Sequence, residues 1–222
     1  MEMNIVENKQ PQSLKTQIQN QILESIFSAE FQAQQILTEK ELTERYHCSK
    51  SPVREALVSL CSEGVLRSIP RCGYQVIQLT KDDIDEILSY RQILETGFLK
   101  SCYNRITPAQ IDKLEAYNKF CMCQSENLKD HWVHNSNFHL YLISCSGNRF
   151  AYHELKRSMD ILYRAYAQYY WFSWDDSISI SDVRTHKKII QCIRSKNVQD
   201  IGDIFEADLS DFAKYFHSKH PM

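Results

Sequence analysis

At 222 residues the chain is long for one domain and comfortable for two. Hydrophobic residues at 43% and charged residues at 24% exclude a disordered or fibrous chain, and only five Gly and five Pro argue against a turn-rich all-β fold. A formal net charge of −2 signals no global attraction to nucleic acid, so such a partner requires a local basic patch. The eight Cys are scattered without a Cys-x-x-Cys pair, and Cys121 and Cys123 stand too close for a two-knuckle zinc pattern. They read as reduced thiols packed as small hydrophobes. The first residues lack the apolar core of a secretory leader, and no stretch approaches the roughly 18 apolar residues of a membrane span. A cytoplasmic protein with no membrane partner is the expectation.

In chain order, residues 1–12 are polar, include Pro11 and read as a loose, disordered tail. Ile18, Ile22, Leu23 and Ile26 then recur at helical spacing, predicting a helix from Leu14 to near Ser28. Thr38-Glu39-Lys40-Glu41 is a capping-box pattern that opens a short helix through Tyr46. After the turn His47-Cys48-Ser49, the run Lys50-Ser51-Pro52-Val53-Arg54 begins another helix. Ser49 or Ser51 is its cap, Pro52 lies in the first turn and Gly64 ends it. Val65–Ile69 and Tyr74–Ile77 read as two short strands joined by Pro70-Arg71-Cys72-Gly73, with Gly73 free to take a positive φ. From Thr80 the strand signals stop. Six helices are predicted: to about Arg105, from Thr107-Pro108 to about Gln124, then 128–145, 150–170, 181–195, and from an Asn197 cap to about His217. The predicted fold is mainly α. A winged helix-turn-helix spans residues 13–79, and an all-α antiparallel bundle spans residues 80–222.

A helix-turn-helix projects polar and basic side chains from the N-terminal end of its second helix into the major groove. Ser49, Lys50, Ser51 and Arg54 crowd those turns, while Val53, Leu57 and Leu60 supply a buried stripe. From Lys40 to Arg71 six basic residues face four acidic ones, an excess that counts only if the cations share one face. Arg54 suits a bidentate contact to a guanine edge, which Lys50 matches less well.

Ser49-Lys50-Ser51-Pro52-Val53-Arg54-Glu55-Ala56-Leu57, then Leu60, Glu63-Gly64 and Arg71-Cys72-Gly73-Tyr74-Gln75-Val76, resembles the GntR family of bacterial regulators. The resemblance implies that Lys40, Lys50 and Arg54 contact DNA and that Gly73 sits at a wing tip entering the minor groove; Ser49, Ser51 and Arg71 are further candidates for DNA contact. Two departures stand out: Lys50 replaces the family's usual Arg, and Ala33-Gln34 stands where Pro-Gly is usual.

Phe138-His139, Ser146-Gly147-Asn148, His186 with Ile189, Ile190 and Ile193, and Arg91-Gln92-Ile93-Leu94-Glu95 are similar to the FCD effector domain, over roughly residues 82–216. Many such domains hold a divalent metal through one Asp and three His. The matching positions here are Asn135, His139, His186 and Asp208. The first two are spaced i, i+4 and so share a helix face. One carboxylate and two imidazoles suit zinc, manganese or nickel, whereas the neutral Asn135 amide is the weaker donor. His131 and His134 read as solvent-facing. Arg91 and Arg164 are candidates for an effector carboxylate, Arg91 having an i,i+4 salt bridge to Glu95 as its alternative. The aromatic run Tyr163, Tyr166, Tyr169, Tyr170, Trp171, Phe172 and Trp174 reads as core or dimer packing.

The reading that follows is a homodimeric, ligand-responsive regulator, most simply a repressor, on a pseudo-palindromic double-stranded DNA operator. A small organic acid, such as a sugar acid or hydroxy acid, is its effector. Two alternatives remain at this level: a metal-dependent hydrolytic enzyme with an accessory DNA-binding domain, or a constitutive DNA-binding dimer with a vestigial pocket. No obvious general base accompanies the histidines, which weighs against an enzyme.

Overall fold

The structure, a computed structural model, describes residues 12–122, 128–170 and 177–219. Residues 1–11 of the predicted tail (1–12), Cys123, Trp171, Phe172 and Trp174 lie outside the described residues, as do the side chains of Tyr166, Tyr169 and Tyr170. The chain divides into two compact units between Gln78 and Leu79.

In the first unit, helix α1 (Leu14–Phe27) is capped by the Ser13 hydroxyl, which accepts from the Thr16 amide. Strand β1 (Ile36–Leu37) and helices α2 (Glu39–Arg45) and α3 (Lys50–Ser62) follow, then strands β2 (Leu66–Ile69) and β3 (Gly73–Val76). Thr38 caps α2 by accepting from the Glu41 amide at 3.2 Å, and His47 takes a positive φ of 49° in the turn before α3. Ser49 holds the N-cap position of α3, and Gly64, at φ 67°, follows its C-terminus. Ile18, Ile22 and Ile26 of α1 meet Leu42, Val53, Leu57, Leu60, Leu66 and Val76 in one buried core. Burying side chains of this size stabilises the fold by about 1.5–3 kcal/mol each.

The wing is a three-stranded antiparallel sheet in the order β1-β3-β2, with Leu37 opposite Tyr74 and Ile69 opposite Gly73. Two residues are too few to announce β1 in the sequence; it pairs with β3, and Gly73, opposite Ile69, closes the turn at the outer end of the hairpin. A Cβ at Gly73 (φ 137°) falls 2.5 Å from the Leu37 carbonyl oxygen, so the crossing of β1 and β3 requires glycine there. The turn itself is Pro70-Arg71-Cys72. The Cys72 amide returns to the Ile69 carbonyl at 3.1 Å, and Arg71 takes φ 65° behind Pro70, the pattern of a type II turn without its usual glycine. Gln34, where the family resemblance leads one to expect glycine, likewise has φ 67°.

The second unit contains α4 (Lys81–Cys102), the 3₁₀ turn η1 (Tyr103–Arg105), α5 (Pro108–Met122), α6 (Leu128–Ser144), α7 (Arg149–Tyr170), α8 (Ser177–Ser195) and α9 (Ile201–Lys219). A reciprocal capping box, Thr80 with Asp83, starts α4. Helix α8 begins ahead of the predicted Ser181. Asn197 does not cap α9: its side chain accepts from the Gln199 amide in a turn, and the helix starts at Ile201. Helix α4 packs against α9, α7 and α6, while α5 lies on α6 and α8. Burial pushes the Cys145 thiol up to about 11, so it packs as an inert hydrophobe. Among the described residues no helix is long and apolar enough to cross a membrane.

Gly73→Ala is expected to destabilise the first unit by about 1–3 kcal/mol, because the added methyl group meets backbone that a side-chain rotation cannot move. Thermal unfolding followed by circular dichroism checks this.

Candidate functional site

On the first unit, the residues singled out by sequence gather at the start of α3 and at the wing. Ser49, Lys50, Ser51 and Arg54 are all exposed, as are Lys40 on α2 and Arg71 at the hairpin turn. The buried stripe Val53, Ala56, Leu57 and Leu60 fixes the roll of α3, so its polar edge faces outward. Two of these side chains are hydrogen-bonded within the unit: Ser51 donates to Glu55 at 2.9 Å, and Arg54 donates to Glu39 on α2. Lys40 stands 3.9 Å from Glu44, an exposed pair. Gly73 is half-buried against β1 and is the one member of the set without an outward-facing group.

On the second unit, four helices converge on one buried cluster. Helix α4 supplies Arg91 and Glu95, α6 supplies Asn135 and His139, α8 supplies His186 and α9 supplies Asp208. The i,i+4 spacing within α4 and within α6 aims each pair inward from one helix face. The His139 Nδ1 lies 2.6 Å from Glu95 Oε2, which fixes that nitrogen as the donor and turns Nε2 toward the opposite side. There Nε2 lies 3.2 Å from His186 Nε2 and 3.2 Å from Asp208 Oδ2. His186 stacks face to face on Phe138, ring centroids 3.8 Å apart, and the Thr185 hydroxyl donates to Asp208 Oδ1.

Electrostatics hold this cluster together. Burial alone would push the His139 imidazole down, but the Glu95 and Asp208 carboxylates on its two nitrogens more than offset that and hold it at about 9. Burial pushes His186 down to about 3, against the pull of Asp208. Both carboxylates resist the upward push of burial: His139 and Arg91 hold Glu95 low, and His139 holds Asp208 low. Two cations, Arg91 and His139, thus balance two anions, Glu95 and Asp208, in the interior.

The donor set fits a divalent cation. The ligand atoms of His139, His186 and Asp208 lie within 4.8 Å of one another. One helical turn before His139, the Asn135 Oδ1 is buried and has no hydrogen-bond partner among the described residues. An orphaned buried acceptor on the same helix face as His139 suits a fourth donor to a metal there. Glu95 supplies the carboxylate that commonly orients a ligating histidine from behind.

Arg91 is buried and bonded to Glu95, its Nε donating to Oε1 at 3.0 Å. The Nη2 lies 2.9 Å from the same oxygen but off the hydrogen-bonding direction, so it has no well-formed bond. Arg164 is buried on α7, a helix that supplies none of the four ligand-type side chains. His131, read as solvent-facing, is buried instead, and His134 is half-buried, stacked on Phe120. The spacing explains the correction: His131, Asn135 and His139 succeed one another at i, i+4 on the inward face of α6. Glu95 as the partner of His139, and Thr185 as the partner of Asp208, were missed. The signal for Glu95 was present, since Arg91 and Glu95 occupy the apolar stripe of α4, between Ile84 and Leu88 before them and Leu99 and Cys102 after.

A winged helix-turn-helix joined to a helical domain with a buried ligand-type cluster defines a class, that of two-domain DNA-binding transcription regulators. Residues 14–76 match the bacterial regulatory proteins of the gntR family, and residues 86–211 match the FCD domain. The chain belongs to the GntR family, in the branch that carries an FCD domain. It is 26% identical to the HTH-type transcriptional regulator YdhC of Bacillus subtilis, over 82% of this chain and 81% of that protein. It is 37% identical to the gluconate operon transcriptional repressor of Bacillus licheniformis, over 40% of this chain and 35% of that protein. In fold it is similar to Escherichia coli McbR/YncC, with a TM-score of 0.72, 18% identity and coverage of 95% and 100% of the two chains. The family and these relatives are transcription regulators, not enzymes.

His139→Ala is expected to destabilise the helical unit by about 3–5 kcal/mol, because it leaves two buried carboxylates facing one arginine. Denaturant unfolding in the presence of a chelator measures this.

Proposed function

We propose that this transcription regulator is a homodimeric repressor whose α3 helices enter successive major grooves of a pseudo-palindromic operator. Arg54 and Lys50 read base edges, while Ser49, Ser51, Lys40 and Arg71 serve as backbone or flanking contacts. The observation that carries this reading is the exposed, basic N-terminal turn of α3, held outward by a fully buried stripe on its other side. Repression, and not activation, is supported by its relatives, the gluconate operon transcriptional repressor of Bacillus licheniformis and the transcriptional repressor RspR of Escherichia coli.

Within the helical unit, His139, His186, Asp208 and Asn135 would hold a divalent ion such as zinc, manganese or nickel, with Glu95 orienting His139. When bound, such an ion supplies Lewis acidity toward an oxygen donor. A divalent ion and Arg91 against Glu95 and Asp208 leave one positive charge in a buried site. That excess favours a monoanionic effector, a small carboxylic acid, with the Arg91 Nη2 as a second point of attachment. The effector changes operator affinity by its differential affinity for the DNA-competent and released states, and by no more.

Duplexes selected from a random library by the full-length chain provide the operator. Arg54→Ala is expected to weaken binding to them roughly ten- to hundredfold at fixed salt while leaving unfolding unchanged. Unaltered affinity would sink the assignment of α3. In the helical unit, Asn135→Asp is expected to tighten zinc binding roughly tenfold or more, since a carboxylate replaces a neutral amide. Isothermal titration with zinc chloride tests it, and an unchanged affinity places Asn135 outside the site.

A further inference from the structure

Glu39, the first residue of α2, is not among the residues that sequence patterns single out, yet it meets the central side chain of the reading helix. Its two carboxylate oxygens accept from Arg54, Oε1 from Nε at 2.7 Å and Oε2 from Nη2 at 2.9 Å. Two parallel N–H···O bonds define the orientation of the guanidinium plane as well as its position. Nonetheless the Arg54 side chain remains 64% exposed, and Glu39 is 23% exposed. The hydrogen bond from Arg54 holds the Glu39 carboxyl below its ordinary value, with Lys50 adding to the effect, and it holds Arg54 above its own. Tyr74 of the wing stands close enough that, after burial, the Glu39 charge helps push its hydroxyl up. Glu39 therefore touches the field of α2, α3 and the wing at once.

The chemistry of the guanidinium gives this contact a consequence. Arginine carries five N–H donors arranged along two usable edges. Glu39 occupies the side edge, made by Nε and one Nη2 hydrogen. The end edge, made by Nη1 and the second Nη2 hydrogen, has no partner among the described residues. Two parallel donors on an end edge are what the O6 and N7 acceptors of guanine match in the major groove. An arginine not held in this way can swing to the nearest phosphate, a contact that adds affinity and carries no sequence information.

We infer that Glu39 is a specificity-determining residue of the DNA interface: it grips Arg54 by the side edge, so that the end edge alone reads guanine, and its negative charge opposes diversion of Arg54 to phosphate. The inference rests on the DNA-binding reading above and assigns Glu39 a positioning role within it. It makes two effects of opposite sign follow from one substitution. Without Glu39, discrimination at the base pair read by Arg54 falls. Affinity for unrelated DNA rises, because an acidic group leaves the phosphate-facing surface. A purely structural role for Glu39 lowers both together.

The test uses the full-length chain and fluorescence anisotropy at fixed salt. The three probes are the library-selected operator, the same duplex with the guanine read by Arg54 replaced by adenine, and an unrelated duplex. Glu39→Ala is expected to lower the operator-to-variant ratio roughly 5- to 20-fold and to raise affinity for unrelated DNA about 2- to 5-fold. In an Arg54→Ala background the same substitution is expected to leave the ratio unchanged. Glu39→Asp, which keeps the charge but shortens the reach, is expected to lose the ratio while binding unrelated DNA as the parent does. The inference is overturned if Glu39→Ala leaves the ratio intact, or if it weakens all three duplexes together. It is also overturned if the ratio falls equally without Arg54, for then Glu39 reads the base itself. An Arg54→Ala chain that binds the operator like the parent overturns the DNA-reading assignment along with it, which separates that failure from a failure of Glu39 alone.

Discussion

Two carboxylates, Glu95 and Asp208, lie in the interior of the helical unit, and the architecture around them follows from the need to neutralise them. An unpaired charge in such surroundings is strongly destabilising, so each carboxylate is met by a cation delivered from another turn or another helix. Arg91 comes from the turn before Glu95, and His139 comes from α6 to stand between the two anions. This demand ties α4, α6 and α9 to one relative placement. Apolar packing alone leaves such placements degenerate, because Leu and Ile accept many neighbours. The two apolar clusters of the unit, one around Leu155 and Leu162 and the other around Phe138 and Phe205, supply the bulk of burial. Placement at the level of single atoms comes from the charges.

The same arrangement readies the cluster for a ligand. His139 is oriented through Nδ1 and so directs Nε2 at His186 and Asp208, while Asn135, one turn earlier on the same helix face, carries a buried oxygen without a hydrogen-bond partner among the described residues. A site that is charge-balanced by a protonated imidazole can exchange that proton for a metal ion without rebuilding its second layer of contacts. In the proposed ligand set the one carboxylate comes from Asp208 on α9, and Asn135 on α6 is neutral. The Thr185 hydroxyl holds Asp208 in place.

At the DNA-facing end the balance between ion pairs runs the other way. Exposed pairs contribute little to stability, since water screens them and long side chains lose freedom in forming them. The Arg54–Glu39 pair therefore matters for where it holds the guanidinium and not for the energy it adds to folding. Four non-glycine turn residues of the first unit take a positive φ: Ala29 after α1, Gln34 before β1, His47 before α3 and Arg71 in the wing's turn. Arg71 keeps a charged side chain at a position that glycine would fill with less strain, and the position is the one from which the wing reaches outward.

Local chemistry sufficed to read most of the helices and the wing's main hairpin from the amino-acid sequence: apolar periodicity, caps such as Thr38 and Thr80, and Gly64 act within a few residues of where they stand. The spacing of Asn135 and His139 likewise announced an inward-facing pair, because four residues span one helical turn. What the chain order could not decide were the facts that depend on distant segments meeting. The two-residue strand β1 exists only because β3 pairs with it, and that pairing brings the Leu37 carbonyl against Gly73 beside the wing's turn. Glu95 became the partner of His139, His131 turned inward, and Glu39 closed on Arg54 only once separate helices were packed at fixed angles. Interactions across dozens of residues leave no periodic mark in sequence, because the distance that governs a charge is measured through space.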